Sequence, residues 1–315
     1  MKKLISIVTA CYNEEENVQP LAAKVAEVMT QLPQYNYEHI FIDNASQDNT
    51  VPLLREVAAR DKRVKVIVNA RNFGHIRSPS YALLQAKGDA VISLVADFQD
   101  PPELIPEFVR CWEEGAKVVA AVKKQSKETW WVFYLRKAYY RILEKIAEAP
   151  VIKNFTGFGL YDKKIMDVIR AYGDPQPYFR GLLSDFGYDI ERVEYVQPAR
   201  TRGKSKNNFF TLLDMAILGT TSYSRVPLRL ATLLGFTLSG MSLLVALGYL
   251  VYKFLFWYQV PFGITPLLVG GFVFFSVQLL FIGLLGEYIA AIHVRVLKKP
   301  LVIERERINF DEPSN

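Results

Sequence analysis

Leu4-Ile5-Ser6-Ile7-Val8-Thr9-Ala10, running into Cys11-Tyr12-Asn13-Glu14-Glu15, decides how the chain is read: an apolar strand-like run that stops abruptly in polar side chains. The pattern recurs. His39 to Asp43 ends in Asp43-Asn44-Ala45-Ser46-Gln47-Asp48, Val64 to Asn69 ends in Arg71-Asn72-Phe73-Gly74-His75, and Ala90 to Val95 ends in Asp97-Phe98-Gln99-Asp100-Pro101-Pro102-Glu103. Between these runs the periodicity becomes helical, over Asn17 to Gln31, Thr50 to Arg60 and a stretch near Pro79 to Ala86. Alternating strands and helices predict an α/β fold with a mainly parallel sheet and helices on both faces. Ligands of such sheets bind at the carboxyl ends of strands. A single polar loop there is explained by a turn or a helix cap, whereas four on one edge point to a site.

Outward from this core, the composition changes. Half of the 315 residues are hydrophobic, and much of that content lies in two C-terminal blocks. Leu230 to Tyr252 carries no charge, and at about 1.5 Å rise per residue it spans a hydrocarbon core of roughly 30 Å. A second charge-free block runs from Phe254 to Gly286; Pro261 and Pro266 interrupt its start, which places the helix at about Thr265 to Gly286. Two transmembrane helices joined by the turn Trp257-Tyr258-Gln259-Val260-Pro261 are therefore expected. Arg225 and Arg229 precede the first, while His293, Arg295, Lys298 and Lys299 follow the second, so both termini are expected in the cytoplasm of a multi-pass inner-membrane protein.

The basic flanks also assign the net charge of +6 to a membrane surface rather than to nucleic acid. Thr129 to Ile146 interleaves bulky aromatics with basic residues as interfacial helices do, and Phe209 to Leu218, leading towards the first membrane helix, is a second candidate, although an ordinary core-facing helix is the alternative for each. The 2 cysteines, Cys11 and Cys111, have no metal-site spacing and fit a reducing compartment. The N-terminus enters a strand at once, without a secretory signal. The expected division is a nucleotide-sugar domain over 1–205, a juxtamembrane segment over 206–229, a two-helix membrane domain over 230–290 and a cytoplasmic tail over 291–315.

The loops, in their order and spacing, resemble glycosyltransferase family 2, and within it the polyprenyl-phosphate glycosyltransferases such as bactoprenol glucosyltransferases and dolichol-phosphate mannose synthases. The carriers are Tyr12-Asn13-Glu14-Glu15, Asp43 to Thr50, Arg71 to Gly74, Asp97 to Glu103 and the two C-terminal apolar segments. The resemblance implies a GT-A-like fold and transfer of a sugar from a nucleotide-sugar, UDP-linked by preference and GDP-linked as the alternative, to a polyprenyl phosphate. It implies that Tyr12, Glu14, Asp43 and Asp97 hold the donor, and that Asp97 and Gln99 bind Mg²⁺ or Mn²⁺. It leaves a homo-oligomer open.

The chain departs from the family in two places. The usual Asp-x-Asp element reads Val95-Ala96-Asp97, and the Asp-Phe-Arg-Leu stretch that carries the base of related enzymes reads Gly157-Phe158-Gly159-Leu160. A lipid phosphate is already ionised near neutral pH and needs no base to attack. Asp97 and Asp100 are then the candidate catalytic carboxylates, with Asp162 a further one unless it caps a helix.

The segment Arg200-Thr201-Arg202-Gly203-Lys204-Ser205-Lys206 resembles the family's Arg-x-x-Gly-x-Ser-Lys element. Its Arg200, Arg202, Ser205 and Lys206 are candidates to grip the lipid phosphate or the pyrophosphate, and His75 and Arg77 are further ones. A basic patch on anionic lipid is the plainer alternative. A processive polysaccharide synthase would show more membrane helices and a Gln-x-x-Arg-Trp element, which this sequence lacks. A non-catalytic scaffold is the alternative that Val95 and Gly157 raise, and the retention of Asp97, Gln99 and the basic loop opposes it.

Overall fold

A computed structural model describes residues 2–124, 154–174, 179, 182–183, 186–198, 226–256, 264–297 and 299–310. The expected interfacial stretches Thr129–Ile146 and Phe209–Leu218 lie outside these residues, as does the turn from Trp257 to Pro261.

The chain begins β1 (Leu4–Cys11), α1 (Val18–Met29), β2 (Asn36–Asp43), α2 (Thr50–Arg60), β3 (Val64–Asn69), α3 (Gly74–Gln85) and β4 (Ala90–Val95). A 3₁₀ turn and α4 (Ile105–Glu113) lead to β5 (Val118–Lys123), β6 (Phe155–Asp162), α5 (Lys163–Tyr172) and β7 (Ile190–Tyr195). Two long helices, α6 (Val226–Leu255) and α7 (Ile264–Val296), precede a last strand, β8 (Glu304–Ile308). All 8 strands form one sheet in the order β7-β5-β6-β4-β1-β2-β3-β8. β6 runs against β4 and β5, and β8 runs against β3; the other pairings are parallel.

Strand alternation divides the core into two layers. Ile5, Ile7, Phe41, Val66 and Ile92 face α1, α2 and α4, whose Leu21, Val25, Leu54 and Phe108 are buried against them. Val8, Ile40, Ile42, Ile67 and Val91 face α3 and α5, with Ala82, Leu83, Ile165 and Met166 on the other side. Helices thus cover both faces, as the alternation of runs implies.

Two elements differ from the sequence expectation. Helix α3 starts at Gly74 rather than near Pro79, which sits inside it. Side chains outside the helix hold that early turn: Gly74 N–H donates to Asn72 Oδ1 at 2.8 Å, and Phe73 N–H donates to Asn44 Oδ1 at 2.9 Å. The C-terminal tail does not stay apart from the soluble domain, because Glu304–Ile308 pairs with β3.

The apolar segments form α6 and α7, but among the described residues one stretch, Gly270–Val296, is long and apolar enough to cross a membrane. The apolar stretch described on α6 is the shorter Leu230–Ser242.

Candidate functional site

The parallel registers bring the loops together. Cys11 lies beside Asp43 and Ala10 beside Val95, so the chains leaving β1, β2 and β4 emerge side by side at the carboxyl edge. Each exit holds a non-glycine residue in left-handed backbone: Asn13 at φ 55°, Ala45 at φ 63° and Phe98 at φ 59°. Asparagine tolerates this conformation, whereas alanine and phenylalanine are strained by about 1 kcal/mol or more, a cost that clusters at functional sites.

On the β1–β2 side the loops are tied to one another. Both carboxyl oxygens of Asp43 accept from Ser46, one from its N–H at 2.9 Å and the other from its hydroxyl. The Ser46 hydroxyl in turn accepts from Asn13 N–H at 2.8 Å, and Asn13 Oδ1 accepts from Gln47 N–H at 2.8 Å. Asp43 is completely buried; burial raises its pKa, while the Ser46 bonds and the charge of Arg305 oppose the rise. Glu14 receives Asn17 Nδ2 at 2.6 Å and donates its backbone N–H to Thr50 Oγ1 at 2.8 Å. Tyr12, Glu14 and Asp43 therefore stand at the ends of β1 and β2, and Asp43 acts here as the pin of its own loop.

Asp97, Gln99 and Asp100 share a cavity of about 400 Å³ that also takes in His75, Lys123 and Thr156. Apolar side chains, among them Val8, Ala10, Leu94 and Val95, also line it. Val95, where the family's first carboxylate belongs, is 40% exposed, a hydrophobic side chain open to the cavity. Asp97 is partly exposed and accepts Gln99 N–H at 3.1 Å.

Asp100 is buried and accepts the Tyr195 hydroxyl at 3.0 Å. Burial pushes its pKa up to about 6 and nearby Asp97 adds to that, against the Tyr195 bond and the Lys123 charge. The Tyr195 hydroxyl is itself held above its ordinary pKa, by burial first and then by Asp100. Sequence reasoning missed Lys123, Thr156 and Tyr195. A lysine ending the apolar run Val118–Lys123 is a readable signal, whereas nothing in the sequence brings Tyr195 on β7 to Asp100.

Several expected residues lie elsewhere. Asp162 caps α5 by accepting Lys164 N–H at 2.9 Å, and it also takes Trp112 Nε1 at 2.8 Å; its partner in register, Ala90, begins β4, at the end of the sheet away from the cavity. Arg77 donates to the carbonyl of Pro300 at 2.6 Å, so its guanidinium is committed to the C-terminal segment. Arg200, Arg202, Ser205 and Lys206 lie outside the described residues.

Among the described residues no three His, Cys, Asp or Glu side chains converge to hold a metal by themselves. The oxygen donors of Asp97, Gln99 and Asp100 in one cavity suit a hard cation whose remaining ligands are phosphate oxygens and water.

The model of the family described as "Glycosyl transferase family 2" matches residues 6–172. Over 307 residues the chain is 35% identical to the uncharacterized glycosyltransferase YkcC of Bacillus subtilis (strain 168), covering 97% of this chain and 94% of that one. It is 33% identical over 301 residues to the SfII prophage-derived bactoprenol glucosyl transferase of Shigella flexneri, covering 95% and 96%. With the bactoprenol glucosyl transferase of Shigella phage SfV it shares 32% identity over 306 residues, covering 96% and 99%. With the family model matching residues 6–172 and relatives a third identical along nearly their whole length, the chain belongs to glycosyl transferase family 2.

Proposed function

We propose that this glycosyltransferase moves a sugar from a nucleotide-sugar, UDP-linked by preference, onto a polyprenyl phosphate at the cytoplasmic face of a membrane. The observation that carries the reading is a polar, carboxylate-bearing cavity in a chain that also presents long, exposed apolar helices. On α6 and α7, Leu233, Phe236, Leu244, Phe272 and Leu279 are each more than 60% exposed, surface that water does not tolerate in such quantity and lipid does. The names of the Shigella relatives, which specify bactoprenol, support the lipid acceptor.

In this reading Tyr12, Glu14 and the loop pinned by Asp43 form the nucleoside end of the site. Asp97 and Gln99, with Asp100 beside them, would hold a divalent cation, Mg²⁺ or Mn²⁺, which when bound neutralises the diphosphate that leaves. Lys123 places a second positive charge at the same cavity. The acceptor phosphate attacks the sugar carbon already ionised, so the glycine at position 157 does not prevent reaction. Arg200, Arg202, Ser205 and Lys206, just before the apolar helices, are placed in sequence to grip the lipid phosphate at headgroup depth. Both membrane helices and both cytoplasmic termini belong to this proposal.

The test incubates membranes containing the protein with undecaprenyl phosphate and a panel of radiolabelled nucleotide-sugars, followed by extraction of the lipid. Label should enter the lipid phase with one donor and disappear in chelator. No lipid label from any UDP- or GDP-sugar overturns the reading.

A further inference from the structure

The strand that follows α7, β8, is the least expected part of the fold. Across the β3–β8 ladder Glu304 stands opposite Asn69 and Glu306 opposite Val68, which leaves Arg305 as an extra, bulged residue. In a regular strand Glu304 and Glu306 would point to the same face. The bulge sends them to opposite faces. Glu304 accepts from the Tyr81 hydroxyl on α3 at 2.7 Å, whereas Glu306 accepts from Arg55 Nε on α2 at 3.2 Å.

Further bonds continue the grip on both helix layers. Arg307 reaches Gln85 on α3 at 3.0 Å, and Asn309 Nδ2 donates to the carbonyls of Ala58 at 2.7 Å and Val64 at 2.8 Å. The strand therefore straddles the edge of the sheet and holds α2 and α3 at once, the two helices that open from the β2 and β3 loops.

The stretch just before β8 touches the carboxyl edge itself. Ala70 N–H donates to Ile303 O at 2.8 Å, and Arg77 donates to Pro300 O at 2.6 Å. The guanidinium of Arg77 lies 5.4 Å from the centre of the Phe73 ring, which Arg71 also covers at 4.2 Å. From its other side the Arg71–Gly74 loop is held by Asn44, the residue after Asp43, through Asn72 and Phe73. Only a few residues separate Pro300 from the end of α7 at Val296.

We propose that the segment from Lys299 to Asn309 is a positioning element of the donor edge, acting on the Arg71–Gly74 loop through Arg77. The chain returning from the membrane completes the site that the first hundred residues begin, so anchoring and donor binding are linked through one short segment. This inference rests on the reading that the nucleotide binds at that edge.

The test compares full-length wild type with Arg77→Ala and Arg77→Lys by hydrogen–deuterium exchange, melting temperature and separate KM values for donor and lipid. Arg77→Ala should speed exchange at the Ala70, Phe73 and Gly74 amides and raise the donor KM about tenfold, the size of one charge-assisted hydrogen bond, with lipid KM unchanged. Arg77→Lys, which keeps a charged donor to Pro300, should recover most of the loss. Unchanged exchange, or a change in lipid KM alone, overturns the proposal. If Arg77→Ala does not fold, Glu306→Ala loosens the same strand from α2 and should raise exchange at the same amides, and its failure to do so also overturns it. A wild type that transfers no sugar sinks the functional reading alone, because the exchange comparison still decides the clamp.

Discussion

Asp97 and Asp100 are three residues apart in one cavity, yet they are held differently: the first is partly exposed, and the second is buried against Tyr195. Asp97→Asn removes charge at nearly constant volume, so transfer should fall by at least about a hundredfold with an unchanged melting temperature. Near-normal turnover at limiting Mg²⁺ or Mn²⁺ would rule Asp97 out as a metal ligand. Asp100 makes a pH prediction. Its folded pKa of about 6 lies above the unfolded value of 3.8, so the folded state binds the proton more tightly. The stability this supplies is fully present below about pH 4 and is lost as pH rises through 6, at most about 3 kcal/mol over two pKa units. Asp100→Asn escapes that loss. In chelator it should melt higher than wild type at pH 8, with a much smaller gain at pH 4; a pH-independent difference in calorimetry contradicts the assignment. Arg202→Ala belongs to the same scale. Loss of one charge-assisted phosphate contact costs about 1.5–3 kcal/mol, so the apparent KM for lipid should rise roughly ten- to hundredfold while nucleoside-diphosphate affinity holds. The opposite split moves that loop to the donor side.

Among the elements, β6 holds two glycines, at 157 and 159, for different physical reasons. Gly157 has φ 101°, a conformation that L side chains rarely adopt, although a Cβ there would meet no atom within 4 Å. Gly159, two residues on, is closed by sterics instead: a Cβ would lie 2.1 Å from the Val119 carbonyl oxygen on β5. Gly159→Ala must therefore push β5 and β6 apart, and should destabilise the domain by more than about 3 kcal/mol, whereas Gly157→Ala carries only backbone strain of about 1–2 kcal/mol. Urea unfolding of both variants checks the order, and equal losses would refute the close approach. Strands β1 to β4 were legible because buried parallel strands read as apolar runs ending in polar loops. Strand β8, Glu304-Arg305-Glu306-Arg307-Ile308, was not, since an edge strand satisfies its charges on neighbouring helices and carries little hydrophobic signal.

For the whole molecule, the return of the tail to the sheet constrains topology. Residues 304–308 pair with β3, and Arg295 near the end of α7 lies 3.5 Å from the buried carboxylate of Asp174, so the exit of α7 is on the side of the soluble domain. With an even number of crossings the N- and C-termini share a compartment. Reporter fusions at Met1 and Asn315 should both read as cytoplasmic, and opposite readings would exclude the two-helix arrangement.

The sequence by itself determined the alternation of strands and helices, the edge on which polar residues collect and the family, because local periodicity and loop composition are written residue by residue. Only the tertiary structure decided that Asp43 pins its own loop, that Tyr195 and Lys123 join Asp97 and Asp100, and that the C-terminal tail closes the sheet. The physical reason is that each depends on pairing between segments far apart in the chain. Strand register and burial set those partners and the pKa values that follow, and no window of sequence contains them.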